Sequence, residues 1–322
     1  MSVMNYRHIL FLFALTFFSL FIFTGLLYAV PQVDSADITV SGSSGTGGAY
    51  IVGDTVVVEW DASNDAANYA PPASDDITGV DIDFSDFGGG AAVAAADDGV
   101  APDATAGDGV WTASYTIVSG AIDTTKARAE VTATNGDGTT GPVDNGSDLV
   151  CDNELPVVTD ANISISGATG NGGVFISGDT VTSTWDNTGT GDNNGDIVSV
   201  TTDFSEFGGG ANVAMANAAQ TWTADYALAD GIDATNLNVS VTAVDDAGNS
   251  VTTADTSNAD VDTIIPSGYS VTISDGGDGY INNAEDNAVN FVFSGAEVGT
   301  TYDYSYTSGG GGGPITGSGT VA

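Results

Sequence analysis

The strongest constraint on this chain is that it repeats itself. Ile38-Thr-Val-Ser-Gly42 returns as Ile163-Ser-Ile-Ser-Gly167, and Gly53-Asp-Thr-Val-Val-Val-Glu-Trp-Asp61 as Gly178-Asp-Thr-Val-Thr-Ser-Thr-Trp-Asp186, both 125 residues on. Asp83-Phe-Ser-Asp-Phe-Gly-Gly-Gly-Ala91 returns as Asp203-Phe-Ser-Glu-Phe-Gly-Gly-Gly-Ala211 at an offset of 120. Trp111-Thr-Ala-Ser-Tyr115 matches Trp222-Thr-Ala-Asp-Tyr226 at 111, and Val131-Thr-Ala-Thr134 matches Val241-Thr-Ala-Val244 at 110. The offset shortens in steps, and each step falls in a stretch rich in Gly, Asp and Asn. Length changes belong in surface loops, so one folded unit has been copied and its loops trimmed. A third copy starts near Ser270, where Val271-Thr-Ile-Ser274 and Val289, Phe291, Phe293 follow their counterparts by 108. It runs to about half length, and a fragment of a longer protein is expected, because half a sandwich leaves open strand edges.

Within each copy the matched segments alternate with period two. Val56, Val58 and Trp60 fall on one face, and Thr55, Val57 and Glu59 on the other. Asn135-Gly136, Asp137-Gly138, Asp108-Gly109 and Asp230-Gly231 punctuate these short runs as turns. No helical period is sustained after Val30. The expected fold class is all-β: tandem immunoglobulin-like β-sandwiches over residues 37–155 and 156–265, bounded near Pro156 and Pro266, then a partial repeat over 267–322. Trp60, Trp111, Trp185 and Trp222 occupy repeated strand positions and read as core residues.

Residues 1–29 read separately. Arg7 and His8 precede an apolar run from Ile9 to Val30, with Ala29 at the expected cut. This is the pattern of a secretory signal peptide, favoured over a retained membrane anchor because Gly25 interrupts the helix just before the cut. The chain would meet a membrane only through this segment. Export places the protein outside the cell or on its surface.

The 322 residues include 43 Asp or Glu against 3 Lys or Arg, a formal net charge of −40. Such a surface cannot neutralise phosphates, which excludes nucleic acid as a partner. It points to cations instead. Cys151 is the only cysteine, so neither an intrachain disulfide nor a Cys-based zinc site can form. After cleavage no His remains, so no Ser-His-Asp or Cys-His triad can be assembled. A non-enzymatic protein is expected. Gly88-Gly-Gly90 and Gly208-Gly-Gly210 are followed by no Lys and read as turns, not phosphate loops. The sequons at Asn145, Asn162 and Asn238 read as incidental.

Acidic loops are the best chemical signal. Carboxylates closely spaced in Gly-rich turns suit Ca²⁺, which takes six to eight oxygen ligands. Asp97, Asp98, Asp103 and Asp108 lie within one loop of the first copy and are the favoured ligands. Asp152 and Glu154, then Asp260 and Asp262, stand at the junctions as the alternative, and Asp275, Asp278, Glu285 and Asp286 open the third copy. None matches an EF-hand loop, and Asp-rich turns also form without metal.

The first two copies resemble the bacterial immunoglobulin-like repeats of giant secreted surface adhesins. The resemblance is carried by Val80-Asp-Ile-Asp-Phe-Ser-Asp-Phe-Gly-Gly-Gly90, by Asp97 to Gly109 before Trp111, by Val244-Asp-Asp-Ala-Gly-Asn249 and by Val261-Asp-Thr-Ile-Ile-Pro266. It implies an adhesin, stalk or surface-layer spacer whose partners are other surface proteins, glycans or divalent cations. The second copy lacks the Asp-rich loop. An alternative is a carbohydrate-binding or spacer module of an exported enzyme whose catalytic domain lies outside this fragment; exposed aromatics grouped on one face would favour it.

Overall fold

The computed structural model describes residues 30–64, 68, 77–273, 277, 290–307 and 314–322. The N-terminal segment and the acids at 275, 278, 285 and 286 lie outside the described residues. The chain divides into two compact units, residues 1–155 with 246–249, and residues 156–245 with 250–322.

In the first unit, β1 (Ile38–Ser41), β2 (Thr55–Asp61), β3 (Ile77–Asp83), β4 (Val93–Ala95), β5 (Val110–Thr116), β6 (Asp123–Ala127), β7 (Glu130–Asn135), β8 (Thr139–Asp144) and β9 (Leu149–Asp152) follow in order. They form the sheets β1-β2-β5, β4-β3-β7-β8 and β6-β9. Alternation does what the pattern predicts. Val56, Val58 and Trp60 of β2 and Val80 and Ile82 of β3 are buried, together with Val131 and Ala133 of β7. Burying each such valine or isoleucine contributes ~1.5–3 kcal/mol. The polar or short partners on the opposite faces leave the sheets half solvated.

The second unit repeats this plan with β10 (Ile163–Ser166), β11 (Phe175–Ile176), β12 (Thr180–Asp186), β13 (Ile197–Asp203), β14 (Val213–Ala214), β15 (Ala216–Ala218), β16 (Thr221–Ala227), β17 (Asp233–Leu237), β18 (Ser240–Asp245), β19 (Ser250–Ala254) and β20 (Ala259–Asp262). The sheets are β10-β12-β16-β15, β14-β13-β18-β19 and β11-β20-β17. The parallel pairing of Phe175 with Val261 reproduces the parallel bridge of Tyr50 with Cys151.

The same unit holds β21 (Ser270–Ile273), β22 (Phe291–Ser294), β23 (Thr301–Tyr306) and β24 (Ile315–Thr320), as the sheets β21-β22 and β23-β24. Register is common to all three copies: Ile38 faces Trp60, Ile163 faces Trp185 and Val271 faces Phe293. A one-residue slip would turn every side chain to the other face, so this agreement means that the repeated pattern sets the pairing. The architecture is therefore all-β, and among the described residues the helical segments are short 3-10 turns between strands.

The repeated Phe-Gly phrase makes one such turn. Phe84 and Phe87 are fully buried, and the amides of Phe87 and Gly89 both donate to the Phe84 carbonyl. Gly88 takes the left-handed conformation (φ 85°) that lets the turn close. A Cβ on Gly89 would stand 2.7 Å from the Phe84 Cβ and 2.9 Å from the Tyr115 ring. Phe204, Phe207, Gly208 and Gly209 repeat the arrangement against Tyr226. The triple glycines are a packing device, as the turn reading expects.

Candidate functional site

The largest difference in length between the two copies, nine residues, falls in the loop before Trp111 and Trp222. In the second copy Ala216 pairs with Thr223, and the strand reverses through Ala219 and Gln220, both with positive φ (53° and 68°). Two consecutive positive φ values make the tight hairpin turn that matches strand twist. In the first copy the equivalent pair, Ala96 and Thr112, is bridged by two backbone hydrogen bonds of 2.9 and 3.0 Å. Between them runs the Asp-rich segment in place of the tight turn. The fold closes without it in one copy, so strand pairing does not require its extra length.

This loop gathers three carboxylates. Asp97, Asp103 and Asp108 each offer an oxygen within 4.8 Å of the others, with Asp103 buried, Asp97 half-buried and Asp108 exposed. Backbone amides hold them. Gly107 and Gly109 donate to Asp97 at 2.7 and 2.9 Å, Gly99 and Thr105 to Asp103, and Val110 to Asp108 at 3.0 Å. The Gly99 amide holds the Asp103 carboxyl below its ordinary range, aided by Thr105 and outweighing the opposing effect of burial. Negative charges brought this close repel one another, and the backbone amides oppose that repulsion. Hard, anionic oxygens on a Gly-rich loop are the donor set that a calcium ion takes.

The other predicted residues are placed differently. Asp98 is exposed and caps the Val100 amide at 2.9 Å instead of joining the three. Asp152 is buried and accepts from the Glu154 amide at 2.9 Å, leaving Glu154 exposed. Asp260 is exposed and accepts from Asn236, while Asp262 is half-buried and accepts from Ile264, both at 3.1 Å. The junction acids do share one feature. Asp152 stands opposite Asp123 in register, and Asp262 opposite Asp233. Like charges directly across a strand pair are destabilising.

Several acids that sequence reasoning left unassigned are structural clips. Asp54 accepts from the Ser44 amide and hydroxyl and from the Ile51 amide; Asp179 accepts likewise from Thr169 and Ile176. Asn68 exchanges two hydrogen bonds with the Gln32 backbone, and Asn194 two with that of Val157. Asp54 and Asp179 recur at the offset of 125, which was the available signal, whereas Asn68 and Asn194 stand 126 apart and fall off the series of offsets. The sequon asparagines are similarly committed. Asn145 binds the Ala129 amide and Ser147, Asn162 binds Asp192, and Asn238 exchanges bonds with Asn258.

Cys151 is buried in the first core, and burial with nearby carboxylates pushes its thiol up to about 11. It is a packing residue, not a nucleophile.

No family model and no curated protein matches the chain. Among solved structures, the chain is similar to a tetra-tandem repeat in the extending region of a large adhesion protein, at 14% identity and a TM-score of 0.25, with 91% of this chain and 61% of that one covered. It is also similar to SGBP-B of the Bacteroides ovatus mixed-linkage glucan utilization locus, in complex with a mixed-linkage heptasaccharide, at 18% identity and a TM-score of 0.17, covering 78% of this chain and 49% of that one. Among the described residues no helix is long and apolar enough to cross a membrane.

Proposed function

We propose that this is a non-enzymatic secreted or cell-surface repeat protein, serving as an adhesin, stalk or surface-layer spacer, in which the Asp97–Asp103–Asp108 loop takes a calcium ion. The observation that supports it is how the two copies use their polar side chains. Asp54 and Asp179, Asn68 and Asn194, Asp86 and Glu206 repeat the same structural bonds, the last pair capping the amides of Arg128 and Asn238. Duplicated groups that bind the fold itself are what a spacer needs. The acidic loop stands apart, because one copy has it and the other closes without it. Asp97 and Asp103 would supply oriented carboxylates and Asp108 the exposed third.

The reading is tested on intact producing cells. Antibody labelling of the chain without permeabilisation, and its removal by protease shaving, are the expected results; a chain that resists shaving and is labelled only after lysis would overturn it.

A second reading, a carbohydrate-binding module, draws on one observation. Tyr302, Tyr304 and Tyr306 lie on one face of β23, with the last two rings stacked at 5.8 Å and Tyr306 exposed. Retention on an insoluble polysaccharide that is lost in Tyr306→Ala would favour it.

A further inference from the structure

Four Asn-Gly pairs occur in the chain, at Asn135, Asn145, Asn171 and Asn194. Asn followed by Gly is the sequence most prone to intramolecular attack by the next backbone nitrogen, because glycine offers no side chain to obstruct it. Folding treats the four unequally. Asn135 is buried, and its side-chain oxygen accepts from the amides of Asp137 and Gly138. Asn145 is buried between Ala129 and Ser147, and the Gly146 amide that would attack it donates instead to Asp144 at 2.7 Å. Asn194 is held by Val157 and Asn187. Asn171 is different. It is exposed at the tip of a loop closed by Gly170 donating to Val174, and among the described residues nothing hydrogen-bonds its side chain. Gly172 has φ 75°, and no heavy atom lies within 4 Å of where its Cβ would be.

We propose that Asn171 is a spontaneous deamidation site, and that the other three Asn-Gly pairs are protected by the fold. The Gly172 backbone nitrogen attacks the side-chain carbonyl carbon of Asn171. A new C–N bond closes a cyclic imide as the bond to Nδ2 breaks, and Nδ2 leaves as ammonia carrying the proton from the Gly172 amide. Water then opens the imide at either carbonyl, leaving aspartate or isoaspartate. Water is the only co-reactant, and no electrons change hands. The product is a new carboxylate on a groove that Asp262 and Glu297 also line, so the loop becomes more acidic as the molecule ages. The first copy has Thr46 at the matching position, before Gly47, and cannot undergo this reaction.

The test is peptide mapping by mass spectrometry of the full chain held in mildly alkaline buffer, where each deamidation adds ~1 Da. The Asn171 peptide is expected to convert. The other three should convert at least about tenfold more slowly, since their reaction waits on local opening costing ~1.4 kcal/mol or more. In denaturant all four should convert at comparable rates, which shows that the fold and not the dipeptide sets the difference. Asn171→Gln should abolish the early mass gain of the native protein. Equal native rates at Asn171 and Asn145, or a native Asn171 that stays intact while converting in denaturant, would overturn the proposal.

Discussion

At the scale of single residues, one buried pair is apolar in the first core and polar in the second. Val58 and Ile82 of the first copy are replaced by Ser183 and Thr202, whose hydroxyls meet at 3.0 Å with both residues essentially fully buried. Removing one partner leaves the other unsatisfied and should cost ~1–3 kcal/mol, whereas replacing both with apolar groups is nearly neutral or stabilising. Thr202→Val is therefore expected to lower the urea midpoint, and Ser183→Val with Thr202→Ile to restore or exceed it; a double variant weaker than the single would refute this. Asp192 gives a pH dependence. Burial raises its pKa, but donors from Thr159, Trp185 and Asn162 outweigh burial and the net direction is down. A depressed carboxyl contributes stability that is full above its unfolded value of ~3.9 and is lost as pH falls through the lower folded value. Melting temperature should decline on acidification through that window, and Asp192→Asn should flatten the decline. The sequence showed that Asp54 and Asp179 recur, but not why. A recurring Asp in a turn looks the same whether it clips a loop or binds an ion, and only the positions of its donors separate the two.

Among elements, strands were the most legible part. Alternation in β2 and β12 fixed which face is buried, and the common offset of 108 placed β21 and β22 in the register that the structure shows. Loops were less legible, because an insertion shows only as a step in the offset. That step placed the acidic loop but could not reveal that Asp98 turns away from Asp97, Asp103 and Asp108, since this depends on which amides each carboxylate meets. The internal comparison supplies the experiment. Replacing residues 97–109 with the Asn-Ala-Ala-Gln of positions 217–220 transplants the tight turn of the second copy onto the first. The Ala96–Thr112 bridge should survive, and the shorter loop should leave stability in chelator unchanged or raised by ~1 kcal/mol, since closure entropy falls slowly with length. Failure to fold would show that the loop is part of the sandwich itself.

For the whole molecule the governing quantity is a net charge of −40. Among the described residues the ion pairs are those of Arg128, with Asp144 and Asp148 at 2.8 and 2.7 Å, so almost all the acids lack a cationic neighbour. Folding brings these charges onto compact units, and their repulsion opposes the compact state. Monovalent salt screens exposed charge over a Debye length of ~8 Å at physiological strength. Screening alone would give a stability that rises smoothly with any salt. A folded-state site behaves otherwise: it adds RT ln(1 + [L]/Kd), or about 1–2 kcal/mol per site for millimolar Ca²⁺ at a Kd of ~10⁻⁴ M. That gain should level off with concentration and exceed the gain from Mg²⁺, which demands octahedral geometry and gives up water reluctantly. Melts in EGTA, Ca²⁺ and Mg²⁺ at matched ionic strength are therefore expected to separate for the native chain. In the loop-swapped variant, a calcium effect confined to Asp97, Asp103 and Asp108 disappears. A calcium effect that persists there moves the ion out of this loop and favours the junction acids Asp152, Glu154, Asp260 and Asp262, and three coincident curves for the native chain leave the acids as a solvated surface that binds no ion.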